Sequence, residues 1–306
     1  MKDDAVAPVV AAMLILAVVV TFFAAWNAYY VPSMKAQSEI AHIKDVETGF
    51  LRFSSDIGTA ASLKKNMRLS EPIPMGGGDF MFDPVKSGGE LKIWNASPSG
   101  YLRLNWTSEI NPDPRDRYFG LVKFTYKPVK NFWQDQGYGW SYGNVYVLNT
   151  ERNLSTPLQF YSMTDVTYGL AGSLVDLEAL PSPSSPGNCS SITIHVVNIT
   201  PDSRHSRVTG NGNGMLLLES TVNTVRFINA TSMNIGLSSA LPEGVRATVW
   251  DSMNTSVDES LDQCLNIQRG SPPDPDQHEI PLAFNTYPYP NMTLVLETTE
   301  ITVGAE

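Results

Sequence analysis

The chain has 306 residues, a formal net charge of −10 and a charged fraction of 17%. The acidic balance argues against nucleic acid as a partner, because binding to a phosphate backbone requires clustered lysine and arginine. The hydrophobic fraction of 42% and the modest charge also exclude a disordered acidic chain. These values predict a folded domain that does not adhere to anionic lipid headgroups.

The first element is an apolar run from Ala5 to Trp26, which contains 22 residues without a charge. A helix of this length spans about 33 Å, close to the roughly 30 Å hydrocarbon core of a bilayer. Trp26, Tyr29 and Tyr30 follow at its far end, where aromatic rings favour the headgroup level. The sequence therefore predicts a short leader at residues 1–4 and a transmembrane helix at residues 5–30, with the membrane as the first partner.

A cleaved secretory signal is the alternative interpretation of this run. Such signals have a basic start, an apolar core of about 7–15 residues and a small-residue cleavage site. Here the start carries Asp3 and Asp4, the run is longer, and it ends in aromatic residues. A retained single-pass anchor is therefore favoured.

A second helix, amphipathic, is predicted at residues 33–65, after Pro32. Its apolar residues follow one another in steps of three or four, which places them along one face of a helix. Ser33 is the expected N-cap, because its side-chain oxygen can accept a hydrogen bond from the first turn. The predicted stripe consists of Ile40, Ile43, Val46, Phe50, Phe53 and Ile57.

The segment Asp4–Val10, with its proline at the start of an apolar helix, resembles the N-terminus of archaeal type IV pilins and pilin-like proteins. The family pattern is close to D-x-A-V-S-P-V-I-G, with Ala7 here in place of its serine and Ala11 in place of its glycine. The match covers about the first thirty residues. A generic single-span anchor with a proline near its start is the alternative.

The resemblance implies that the apolar half-helix lies in the membrane or in a filament core, where it associates with copies of itself or with other pilins. It also implies cleavage by a prepilin peptidase. The leader here is short and lacks the small residue that precedes the cut in the family, so cleavage after Lys2 stays open. The residues expected to supply the membrane or filament-core surface are Pro8, Met13, Leu14, Ile15, Leu16, Phe22, Phe23 and Trp26.

The remaining residues, 66–306, are predicted to form a mainly β head, either one β-sandwich or two β lobes. Short apolar runs alternate with clusters of glycine, proline, asparagine and aspartate, as strands and their connections require. The segment 181–187, rich in proline and serine, is either a lobe boundary or a surface loop. Strands are predicted at residues 91–94, 101–106, 120–126, 144–148, 191–197, 215–218, 224–228, 245–250 and 292–297.

Glycosylation motifs predict that this head lies outside the cell. Eight Asn-x-Ser/Thr acceptors occur, although a following proline makes Asn95 and Asn198 poor candidates. Lysines on both sides of the span leave its orientation unresolved, and long domains translocate largely regardless of charge. The expected glycosylation sites are Asn105, Asn153, Asn188, Asn229, Asn254 and Asn291.

The two cysteines, Cys189 and Cys264, are 75 positions apart and are expected to form a disulfide, as an even pair in an exported domain suggests. Two unpaired buried cysteines are the alternative. The aromatic segment 132–142 either packs against the rest of the protein or presents rings to a sugar or a partner.

No catalytic site, cofactor or metal site is predicted. The four histidines lack metal-ligand spacing, and neither cysteine lies in a nucleophile motif. Two functions remain. The first is a pilin-like structural protein, at the cell membrane or in an extracellular filament, whose large head fits a minor or tip subunit. The second is a membrane-anchored binding or adhesion module that never enters a filament.

Overall fold

The computed structural model confirms a long N-terminal helix followed by a mainly β head. It describes residues 6–76, 87–110, 113–129, 135–149, 154–158, 170, 172–271, 278–285 and 292–306. The helix begins with α1 (Val6–Ala25), continues through one π-helical turn (Trp26–Tyr30) and ends with α2 (Val31–Leu63).

Helix α2 ends at Lys64, which adopts a left-handed backbone conformation with φ of +48°. Ser33 is not an N-cap, so that expectation was wrong. The helix does not restart after Pro32, because the π-helical turn carries it through the proline. The described strands are β1 (Met67–Pro74), β2 (Gly88–Asn95), β3 (Leu102–Ser108), β4 (Arg115–Phe119), β5 (Val122–Val129), β6 (Gln136–Ser141), β7 (Asn144–Asn149), β8 (Leu154–Pro157), β9 (Val175–Pro181), β10 (Cys189–Pro201), β11 (Arg207–Gly210), β12 (Asn213–Ile228), β13 (Ala230–Leu237), β14 (Ile267–Arg269), β15 (Glu279–Phe284) and β16 (Thr293–Ala305).

The described strands form three sheets. Sheet 1 has the order β1-β12-β16-β10-β9, sheet 2 has β11-β2-β5-β6-β7-β8, and sheet 3 has β14-β15-β13-β3-β4. Neighbouring strands are antiparallel apart from β10 and β16, which run parallel at the centre of sheet 1. Segment 181–187 joins β9 to β10, which are adjacent strands of that sheet, so it is a surface loop.

One predicted strand is a helix instead. Residues 245–250 lie in α3 (Glu243–Leu261), which packs against β9. Its buried residues Val249, Met253 and Val257 are four positions apart, the spacing of a helical face. The helical period therefore outweighs the β propensity of the valines.

Sheets 1 and 2 together enclose the buried face of α2, which contacts β1 and β12 of the first and β6 and β7 of the second. The closest approach is at Gly49, where an added Cβ would lie 2.5 Å from Ile73 Cδ1 and 3.4 Å from the Pro72 carbonyl oxygen. At Gly58 an added Cβ would meet nothing within 4 Å. A side chain at position 49 would therefore have to displace the end of the Ile73 side chain, whereas one at position 58 would not meet such a contact.

This difference gives a matched pair of variants. We expect Gly49→Leu to lower the free energy of unfolding by about 1–3 kcal/mol, because it overfills the contact with β1. Gly58→Leu should raise it by about 0.5–1 kcal/mol, because leucine favours the helix over glycine. Urea unfolding of the full chain in detergent measures both, and equal effects would contradict a tight approach at Gly49.

Candidate functional site

The first half of the helix presents apolar side chains on every side. The eight residues predicted to form the membrane or filament-core surface, from Pro8 to Trp26, are all exposed. Leu14 and Phe22, for example, are each more than half exposed. Such a surface is stable only when lipid or other apolar helices cover it.

Among the described residues this is the one helix long and apolar enough to cross a membrane, judged by length and composition. The exposed stretch from Pro8 to Tyr30 would extend about 35 Å at 1.5 Å per residue. Two aromatic rings in contact mark its end, with the Trp26 and Tyr30 centroids 4.2 Å apart and the ring planes tilted by 35°.

The backbone and the hydroxyl of this segment are adapted to an apolar surrounding. Thr21 Oγ1 donates back to the carbonyl oxygens of Ala17 and Val18, each at 2.9 Å. In the π-helical turn the Val31 N–H donates to the Trp26 carbonyl. Pro32 has no N–H to offer the preceding turn, and the wider turn lets the helix pass through it. An unpaired polar group would be costly in lipid or in a packed core.

The second half of the helix packs against the head through one face, which we call the docked face. Ile43, Val46, Phe50, Phe53 and Ile57 of the predicted stripe are buried. Ile40 is not, because it is 53% exposed, and Glu39 is the first buried residue instead. Two successive steps of three turn Ile40 about 120° away from Val46 on the helix, which explains the departure.

Aromatic rings from sheet 2 receive this face. Phe124 lies 5.3 Å from Phe50 and 5.5 Å from Phe53, between ring centroids. Phe124 also stacks on Trp140, its cross-strand neighbour in β6, at 5.2 Å with an interplanar angle of 11°. These contacts join the helix to the sheet through a continuous apolar layer.

Polar contacts fix the helix in the same layer. The Tyr138 hydroxyl donates to Glu47 Oε2 at 2.8 Å, and Trp140 Nε1 donates to Ser54 Oγ at 2.9 Å. Burial and the bond to Glu47 raise the pKa of Tyr138 well above its usual range, so it stays a donor. Tyr138 and Trp140 therefore pack rather than face a ligand, whereas residues 132–134 of the predicted aromatic segment lie outside the described residues.

The sequence did not predict the buried polar pair at the start of the docked face. His42 Nε2 lies 2.9 Å from the Pro74 carbonyl oxygen, so it is the protonated nitrogen that donates there. Nδ1 is buried and has no hydrogen-bond partner among the described residues. Glu39, one turn earlier, is 3% exposed. His42 lies four residues before Val46, and Glu39 lies three residues before His42. The helical period therefore predicts that both lie on the buried face, but a search for apolar residues passes over them because they are polar.

A disulfide ties α3 to sheet 1. Cys189 and Cys264 are bonded, with their Cα atoms 5.2 Å apart, as the sequence predicts. The Asn266 side chain supports the same junction, since it accepts from the Cys189 N–H at 2.9 Å and donates to the Cys189 carbonyl at 2.8 Å. The long loop closed by this bond contributes on the order of 4 kcal/mol in the chain-entropy account.

The glycosylation candidates divide into three groups. Asn188 is only 5% exposed, and its amide donates to Ser185 Oγ at 2.7 Å. Asn105, Asn229 and Asn254 are partly exposed. Asn153 and Asn291 lie outside the described residues.

Within the described part of the chain, no cluster of three or more histidine, cysteine, aspartate or glutamate side chains could hold a metal ion. The carboxylates between β9 and α3 line an open groove of about 630 Å³ without converging on one point.

Comparisons of this chain with protein-family models, curated proteins and solved structures find no match.

We expect two alanine variants of the helix, Phe50→Ala and Ile40→Ala, to differ strongly in their free energy of unfolding. Phe50→Ala should lower the free energy of unfolding by about 3–5 kcal/mol, because it opens a cavity in the layer with Phe124. Ile40→Ala should change it by less than about 0.5 kcal/mol, as expected for an exposed residue. Urea unfolding of the full chain in detergent checks both. Comparable losses would contradict the placement of Ile40 outside the docked face.

We expect the stability of the head to depend on pH through Asp176, which contacts Lys64 at the end of α2. Burial opposes ionisation of Asp176, but hydrogen bonds from Lys64 Nζ (3.1 Å) and Ser256 Oγ (3.0 Å) outweigh it and lower the pKa. The stabilisation is therefore complete above the ordinary aspartate pKa of about 3.9 and is lost as the pH falls through the lower folded value.

Lys64→Met should raise the pKa of Asp176, because it removes the closest cation. The carboxyl titration followed by NMR measures this, with Lys65→Met as the control at an exposed neighbouring lysine. An unchanged Asp176 pKa in Lys64→Met would show that the ion pair is not formed in solution.

Proposed function

We propose that this protein is an archaeal type IV pilin-like subunit, which is anchored in the membrane by its N-terminal helix and assembles into a filament through it. The observation that carries the proposal is the division of one continuous helix into two halves. The first half is exposed with respect to the described residues of the head, while the second packs against the head through buried aromatic residues. A helix-packed filament core needs an exposed apolar half of this kind.

Two further features support the proposal. The segment Asp4–Val10 resembles the start of archaeal pilins, and a disulfide in the head fits an oxidising exterior. The head then lies outside the cell, carries glycans on its exposed asparagines and coats the filament. Its size favours a minor or tip subunit.

Assembly can be tested by cross-linking, because both native cysteines are bonded to each other. Leu16→Cys places a single free thiol on the exposed apolar helix, and Ser62→Cys places one at its head end as a control. We expect Leu16→Cys chains in sheared filaments to form disulfide cross-links upon oxidation, either with each other or with other pilins into whose apolar helix a cysteine has also been introduced. Ser62→Cys chains should cross-link far less.

Mass analysis of the N-terminal peptide from the same filaments tests the processing. A start at Asp3 or Asp4 would support cleavage by a prepilin peptidase. The proposal fails if the chain occurs only in detergent-extracted membranes and never in sheared filaments. That result would favour the anchored adhesion module.

A further inference from the structure

One strand of sheet 1 continues beyond its neighbour at the end of the head that is remote from the apolar helix. The pairing of β1 with β12 starts at Pro74 opposite Asn213, near His42, and ends at Met67 opposite Ser220. Strand β12 then continues to Ile228, and over this stretch β16 is its only partner among the described strands. We call residues 223–228 of β12 the distal edge.

The pattern of hydrogen bonds shows which backbone groups of the distal edge are open. Met215 exchanges both of its backbone bonds with Glu306 beyond the end of β16, so odd-numbered residues of β12 bond toward that strand. The Val222 N–H instead donates to Asn66 Oδ1 at 2.9 Å, on the opposite side. Because strand residues alternate, the N–H and C=O groups of Thr224, Arg226 and Ile228 point outward. In the described part of the chain they meet no hydrogen-bond partner.

A groove lies against this edge. It has a volume of about 250 Å³ and is lined by Trp106, Ser108, Ile110, Arg115, Arg226, Phe227 and Ile228. Phe227 packs on Trp106 with ring centroids 4.7 Å apart. Ile110 is 70% and Ile228 63% exposed, so the groove has apolar walls open to solvent.

The charge of the groove differs from that of the chain as a whole. Arg115 and Arg226 are both exposed and form no ion pair within the described residues, although the chain carries a net charge of −10. No acid is among the described residues that line the groove, and Asp116, next to Arg115 in the chain, accepts hydrogen bonds from Arg103 and Asn105. The groove is therefore locally basic and apolar, and it would attract a partner with carboxylates.

We propose that the distal edge binds an extended, acidic segment of a partner protein as an added β-strand. The outward groups of Thr224, Arg226 and Ile228 would pair with its backbone, which requires a polypeptide rather than a lipid or sugar. Its apolar side chains would enter the groove, and its carboxylates would meet Arg115 and Arg226. A second copy of this chain fits less well, because pairing two distal edges brings four unpaired arginines together.

The test uses the full chain in detergent and a synthetic seven-residue peptide in which glutamate alternates with valine. We expect saturable binding, and hydrogen exchange should slow selectively at the amides of Thr224, Arg226 and Ile228. The double variant Arg115→Glu, Arg226→Glu should lose at least about tenfold in affinity for this peptide and gain affinity for its lysine–valine counterpart. Arg204→Glu, an exposed arginine at the opposite end of sheet 1, is the matched control and should change neither.

A second variant separates backbone pairing from charge. Thr224→Pro removes one outward N–H without removing a bond to β16, so it should weaken peptide binding while the melting temperature stays nearly unchanged. Absence of binding, absence of protection at the three amides, or an equal loss in Arg204→Glu would overturn the proposal. Concentration-dependent dimerisation through the distal edge would also overturn it, in favour of self-pairing.

Discussion

The structure depends on the burial of one helical face between sheets 1 and 2. Phe50 and Phe53 fill this interface against Phe124, and Trp140 stacks on Phe124 from the neighbouring strand. Without it the two sheets would expose their inner aromatic residues, and the apolar half of the helix would have no fixed relation to the head. The polar bonds from Tyr138 and Trp140 add direction to this contact, because they position Glu47 and Ser54 within a layer that is otherwise apolar.

The two halves of the helix meet different physical requirements with one continuous backbone. The apolar half is exposed with respect to all described residues of the head, and such a surface is stable only when lipid or other helices cover it. The docked half is covered on one face and polar on the others. The helix is continuous between the two halves, because the π-helical turn before Pro32 accommodates the missing N–H of this proline. The head therefore follows the orientation that the apolar half adopts, whichever of the two environments surrounds it.

The sequence predicted the helix and the β character of the head, because both depend on local signals. A charge-free run and a spacing of three to four residues indicate the helix, and short apolar runs between turn residues indicate strands. The prediction that Ile40 belongs to the buried stripe was wrong. It relied on the apolar side chain, whereas the angular position on the helix places Glu39 on the buried face. The prediction of a strand at the valines near Trp250 was also wrong, since Val249, Met253 and Val257 keep a helical period. The parallel pairing of β10 with β16, the third sheet and the groove at Trp106 and Phe227 join residues far apart in the chain. No local pattern reports such pairings, and the distal edge exists only because of them.

The π-helical turn has a geometric consequence for any assembly. Such a turn accommodates one residue more than an α-helical turn, and each residue turns the helix by about 100°. In a regular α-helix of the same length, the docked face would point in a different direction relative to the apolar half. The π-helical turn thus sets the angle between them. Removal of one residue between Trp26 and Tyr30 would rotate the whole head about the helix axis. A change of a single residue far from the head would thus decide which of its surfaces faces a neighbouring subunit.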